Sequence, residues 1–184
     1  NFALQEIFWS YWHATAAPVH MAAAHFGALI ELARKGYVKH EGDKFKSVII
    51  DKVTWKAISA RLVECINESR ASGDDKTIII NKFSSQLNGA PQSVLLDRFL
   101  ASLDVNVGKV EKSALAKRNA AAHGDSITPE EVIETIRLNR ALLVLVNRIV
   151  LAMTTSQSLY YDYYTIGRPI VPLKQAIGGH EPAK

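Results

Sequence analysis

Apolar positions in this chain recur mostly at three- and four-residue steps, the spacing that lines one face of a helix. Residues 2 to 35 are rich in Ala, Leu and aromatics, which predicts a long helix, broken or restarted near Pro18 and stopping at Gly36. Residues 37 to 52 alternate Lys with apolar side chains and fit either a short edge strand or an ordered loop. Trp55, Ile58, Leu62, Cys65 and Ile66 form one apolar helical stripe that ends at Ser72-Gly73-Asp74-Asp75. Ile79, Phe83 and Leu87 mark a further helix closing at Asn88-Gly89, despite a β-branched run at Ile78-Ile79-Ile80. After Pro91, the positions Val94, Leu95, Phe99 and Leu103 predict a short amphipathic helix, and an Ala-rich, charged one follows from about Val107 to His123, ended by Gly124.

The clearest helix start lies at Thr128, an N-cap with Pro129 in the first helical position and Glu131 completing a capping box. Beyond it, Val132 to Met153 is apolar around most of its circumference, as a helix central to a bundle would be. Without a convincing sheet, the pattern predicts an all-α fold, an antiparallel bundle of roughly five to six helices. It would occupy residues 1–175 as one domain, with 176–184 as a flexible tail.

Composition narrows the class. The chain has 184 residues, 48% hydrophobic and 22% charged, which sets aside disordered and low-complexity proteins. A single cysteine, Cys65, excludes an intramolecular disulfide and a multi-thiolate zinc site, and fits a reducing, cytoplasmic setting. The most apolar run, Ala141 to Val146, is too short to cross a membrane. With no initiator Met and no basic region ahead of an apolar one, the sequence reads as part of a longer protein without a visible secretory signal. The net charge of +4 permits contact with phosphates but is not a strongly basic coat.

Candidate chemistry concentrates in Lys117-Arg118-Asn119-Ala120-Ala121-Ala122-His123-Gly124-Asp125, at the end of one predicted helix and just before the next. On a helix Asn119 and His123 share a face, whereas Arg118 lies about 140° round from His123, so the two cationic side chains would flank a groove. The partial negative charge of a helix C-terminus favours protonated His, and Arg adds a permanent planar cation suited to phosphate oxygens. Together they suit phosphoryl chemistry. The plain alternative is a helix end capped by His123 and Gly124, with Arg118 on a solvated face.

Arg118-Asn119-Ala120-Ala121-Ala122-His123 resembles the Arg-x4–6-His motif of the HEPN superfamily, in the form with a polar residue directly after Arg. The order of predicted helices agrees over about Phe2 to Tyr164, and the pattern Leu95-Leu96-x-x-Phe99, Glu111, Ala114, Arg118-Asn119 is most similar to ApeA-like HEPN domains of anti-phage defence. The resemblance implies a metal-independent endoribonuclease, without cofactor, working as a homodimer whose motif helices face one another. His123 and Arg118 would be its catalytic residues, with Asn119 in support. One toxin–antitoxin branch carries Tyr two places after the His; Asp125 stands there in this chain.

In the mechanism this implies, His123 moves a proton as the 2′-hydroxyl of RNA attacks the adjacent phosphate, Arg118 holds the developing charge, and a 2′,3′-cyclic phosphate results. Partners would be RNA, a second copy, and an N-terminal sensor domain or antitoxin-like protein. A reading from another class is a non-catalytic helical dimerisation or nucleotide-sensing module.

Lys117, Arg137, Arg140 and Arg148 are candidates for an RNA path, Arg137 and Arg148 being eleven residues apart on one stripe of the last helix. Ion pairing or snorkelling of these arginines is the commoner outcome. Tyr160, Tyr161, Tyr163 and Tyr164, followed by Arg168-Pro169, could stack bases but are better explained as packing for a C-terminal segment. His13, His20 and His25 lack metal-ligand spacing, so no metal is expected, and Cys65 on its apolar stripe reads as inert.

Overall fold

The computed structural model describes residues 4–122 and 128–178, except for the side chains of Asp43, Ser85, Gln86 and 119–122. Seven α-helices dominate the described residues, with one two-stranded hairpin, so the all-α class holds at the level of secondary structure. The chain divides into two compact units: Asn1–Gly42 with Phe99–Lys184, and Asp43–Arg98.

The first unit begins with α1 (Leu4–Ala16) and α2 (Val19–Glu41). Their break falls at Pro18, whose carbonyl accepts from the backbone N–H of Met21 at 2.8 Å and of Ala22 at 3.0 Å. Gly36 does not stop α2. A helical glycine costs only about 1 kcal/mol relative to Ala, and the next residue, Tyr37, packs its ring 5.4 Å from that of Phe99. The helix ends instead at Gly42, in the left-handed region with φ +57°.

In the same unit α6 (Lys109–Ala122) and α7 (Val132–Thr154) pack with α2 and with each other. The capping box at Thr128 forms as predicted, with the Thr128 N–H donating to Glu131 Oε2 at 3.0 Å, although Pro129–Glu131 make a 3-10 turn before α7 begins. The centre of the unit is α7, with Leu138, Ala141, Leu142, Val144, Leu145, Val146, Ile149 and Met153 all buried.

A hairpin missed by the apolar pattern follows: β1 (Leu159–Tyr161) pairs antiparallel with β2 (Ile170–Pro172). Three residues per strand are too few to establish an alternation in sequence, and each strand buries only its middle residue, Tyr160 or Val171. Order continues past residue 175, where the tail was expected: Ile177 is buried and its N–H donates to Glu111 Oε1 at 2.8 Å.

The second unit holds α3 (Lys52–Glu68), α4 (Gly73–Gln86) and the first turns of α5 (Gln92–Ser102). Asp51 caps α3, accepting from the N–H groups of Val53 at 3.0 Å and Thr54 at 2.9 Å. These bonds hold the Asp51 carboxyl below its usual pKa. Residues 45–51 are a loop tied by an isolated bridge between Val48 and Gly89 and by the Asn88 amide, which brackets Ile50 with bonds of 2.8 and 2.9 Å. The α3 stripe is real as periodicity but not as burial: no α3 residue is buried, and Cys65 is exposed rather than enclosed. Trp55 stacks on Phe83 of α4 at 5.3 Å, whereas Ile58 and Leu62 remain in solvent.

Candidate functional site

Of the residues in the motif, the structure describes Arg118 in full, places Asn119 in helical backbone near the end of α6, and leaves His123 outside the described residues. Gly124 and Asp125 lie outside them as well. Arg118 is half-buried against α2. A methyl group placed on Gly27 of α2 would stand 3.2 Å from its Cδ and 3.6 Å from both its Cβ and Cγ, so the arginine stem lies across the bare backbone of that glycine. Nη1 of the guanidinium is buried without a hydrogen-bond partner among the described residues. Burial works against the charge of Arg118, and the nearby carboxylate of Glu31, also on α2, works in favour of it.

Glu31 lies one turn beyond Gly27 on the same face of α2. Its Oε2 accepts from Arg34 Nη2 at 2.8 Å and Nε at 3.1 Å, while its Oε1 is buried and unbonded. Gly27 and Glu31 carried no functional weight in the sequence; the available signal was a glycine in the middle of an otherwise helix-favouring run.

Lys117, the residue before Arg118, makes a 3.8 Å ion pair with Glu131, in the turn that precedes α7. The Thr128 N–H bond, with help from Lys117, lowers the pKa of Glu131. Arg137 is exposed, 3.9 Å from Glu134 and with its guanidinium carbon 5.7 Å from the centre of the Tyr164 ring. Arg140 is exposed as well. Lys117, Arg137 and Arg140 are thus all exposed, the first two in ion pairs with Glu131 and Glu134.

Arg148 is not exposed. It is fully buried, which removes it from any RNA path and makes it part of the core. Its Nη1 donates to Glu111 Oε1 at 2.8 Å, its Nε to the Leu173 carbonyl at 3.0 Å and its Nη2 to the Asn106 carbonyl at 2.9 Å. The guanidinium carbon sits 5.0 Å from the centre of the Tyr160 ring. Glu111, equally buried, accepts further from the N–H groups of Gly108 and Ile177, each at 2.8 Å.

A Cβ on Gly108 would come within 3.1 Å of Ala176 Cβ, so the glycine admits this close approach of chain. Tyr160 donates its hydroxyl to the Gln175 carbonyl at 3.0 Å, and burial, outweighing the opposing pull of Arg148, pushes its pKa up to about 12. Asp162, also buried, binds Thr165 Oγ1 at 2.6 Å and the Gly178 N–H at 3.2 Å.

Arg137 and Arg148 do share a stripe of α7, and both meet a tyrosine of the C-terminal segment. That segment encloses Arg148 and leaves Arg137 in solvent. Tyr160 is a packing residue, as expected, whereas Tyr161 and Tyr163 are exposed and stack on one another at 5.9 Å.

Elsewhere in the first unit, α1, α7 and the hairpin enclose a cleft of about 760 Å³, walled by Phe8, Trp12, Leu151 and Tyr161 among others. Phe8, Trp9 and Trp12 are exposed along α1. Among the described residues no three His, Cys, Asp or Glu side chains gather as a metal site would require, and no helix is long and apolar enough to cross a membrane. No protein-family model matches the chain, and no curated protein or solved structure is significantly similar to it.

Proposed function

We propose that this chain is a metal-independent endoribonuclease domain of HEPN type, acting on RNA as a homodimer in anti-phage defence. The observation that supports it most is the state of Arg118: a half-buried guanidinium at the end of α6 with a buried nitrogen that no group among the described residues satisfies. A buried donor left open is costly, by about 1–3 kcal/mol, unless something else bonds it. A phosphate oxygen is a fitting acceptor. In the proposed reaction Arg118 stabilises the charge developing on the phosphate, His123 transfers protons at the 2′-oxygen or 5′-oxygen, and Asn119 orients the substrate. Exposed Lys117, Arg137 and Arg140 supply attraction for the RNA backbone.

A labelled RNA pool incubated in EDTA tests this reading. Wild-type protein should cut it, leaving 2′,3′-cyclic phosphate ends, and His123→Ala should not. A 2′-deoxynucleotide at the cleaved position should block cutting. Equal cleavage by wild type and His123→Ala, or persistent cutting at the deoxy position, overturns the proposal.

A second reading, a non-catalytic helical dimerisation module, is favoured by the exposure of Phe8, Trp9 and Trp12 along α1. It predicts a stable dimer that binds but never cleaves RNA or nucleotide.

A further inference from the structure

Arg118 differs from an ordinary surface arginine in having its stem and its head governed by one face of a neighbouring helix. Along the stem, Gly27 of α2 supplies the absence of a side chain: Cβ, Cγ and Cδ of Arg118 all lie within 3.6 Å of where a methyl group would sit. At the head, Glu31 supplies the opposing charge that favours a guanidinium otherwise disfavoured by burial. Gly27 and Glu31 are four residues apart, one turn of the same helix face.

Glu31 spends Oε2 on Arg34 and keeps Oε1 buried and unbonded, while Arg118 keeps Nη1 buried and unbonded. An acceptor and a donor of opposite charge are thus both left open, and the attraction between the residues acts without a hydrogen bond joining those two atoms. A direct bidentate pair would occupy the fork of Arg118 that a phosphate needs. A carboxylate whose bonds go to Arg34 favours the Arg118 charge and leaves the fork unfilled.

We infer that Gly27 and Glu31 form a seat on α2 that positions Arg118 for substrate, Gly27 by clearing the track of the arginine stem and Glu31 by holding its head from a distance. The inference rests on the ribonuclease reading for its consequence in catalysis. The seat itself is a statement about the coupling of three residues. Neither seat residue touches RNA in this scheme; both act through Arg118.

Gly27→Ala is the sharpest test because its effects on folding and activity should have opposite signs. Ala is the better helix former by about 1 kcal/mol. The added methyl asks Arg118 to give way by only a few tenths of an ångström, so the denaturation midpoint should hold or rise. RNA cleavage should fall about tenfold, in kcat more than in KM, because a misplaced cation forfeits transition-state stabilisation more than binding.

Glu31→Gln keeps shape and removes charge; it should lower kcat by a similar factor, and Glu31→Asp should restore part of it. Unchanged cleavage by both Gly27→Ala and Glu31→Gln, in a protein whose activity is abolished by His123→Ala, overturns the seat and leaves the ribonuclease reading intact.

A second measurement needs no activity. In urea denaturation, Glu31→Gln and Arg118→Gln should be non-additive, the double variant shifting the midpoint by less than the two single shifts summed. Additive shifts refute the coupling. Coupling present in a protein that cuts no RNA establishes the seat while rejecting the ribonuclease reading.

Discussion

Two arginines on neighbouring helices of the same unit have opposite fates. Arg148 is fully buried, with Nε, Nη1 and Nη2 all bonded and Tyr160 against its face. Arg118 is half-buried, lies over a glycine, and keeps a buried nitrogen unbonded. Burial disfavours the charge of both, and a carboxylate opposes that effect in both. The difference lies in what the carboxylates do. Glu111 binds its arginine directly and takes two backbone N–H groups as well, closing the network, whereas Glu31 is bonded to Arg34 and leaves its partner open. A saturated arginine fastens chain to chain; one held but unsaturated keeps capacity for a ligand.

The comparison can be broken by treating each arginine as the other. Arg148→Met should have the largest effect, about 3–5 kcal/mol of lost stability in chemical denaturation, because Glu111 is then a buried charge without its counter-ion. A loss below about 1 kcal/mol would show that the network is incidental. Arg118→Ala should do the reverse: cleavage falls about 10²–10³-fold, the range expected for removing a donor to developing charge, while stability changes by no more than about 1 kcal/mol. Large destabilisation without a specific loss of activity would make Arg118 a second Arg148.

Smaller effects sharpen the same contrast. Tyr160→Phe deletes the bond to the Gln175 carbonyl and should cost about 1 kcal/mol at neutral pH. It should also change the alkaline behaviour. The folded protein holds the Tyr160 proton up to about pH 12, against 10 for the free group. Its stabilising contribution is therefore complete below pH 10 and is lost as the pH rises from 10 toward 12. The wild type should lose stability through that window, and Tyr160→Phe should lose less; parallel melting curves for the two proteins would contradict the assignment. Smallest of all, Arg137→Ala should shift stability by less than about 0.5 kcal/mol, since its contacts are exposed. A loss comparable with that of Arg148→Met would mean that position on the α7 stripe, rather than enclosure, decides an arginine's contribution.

Much of the helical order was legible in the sequence because its causes are local. Pro18 separates α1 from α2, Thr128 and Glu131 build the cap they spell out, and α7 is as central as its apolar circumference implies. Gly36 misled because a single glycine is a weak stop once Tyr37 has a packing partner. The α3 stripe misled in another way: periodicity reports which residues share a face, not whether anything covers that face, and Ile58 and Leu62 stay exposed. The hairpin escaped because three-residue strands carry too little pattern.

For the candidate site, sequence alone determined which groups stand together along the chain: an arginine, a polar neighbour and, five residues after the arginine, a histidine followed by glycine. Only tertiary structure separated the arginines. Arg148 and Arg137 occupy the same stripe of the same helix, and nothing in their spacing says that residues 158–178 fold back over one and leave the other in water. The pairing of Arg118 with Gly27 and Glu31 spans some ninety residues and exists only because α6 packs on α2. Helices are specified by neighbours a few residues away, but the environment that fixes a charged side chain's role comes from parts of the chain that meet only on folding.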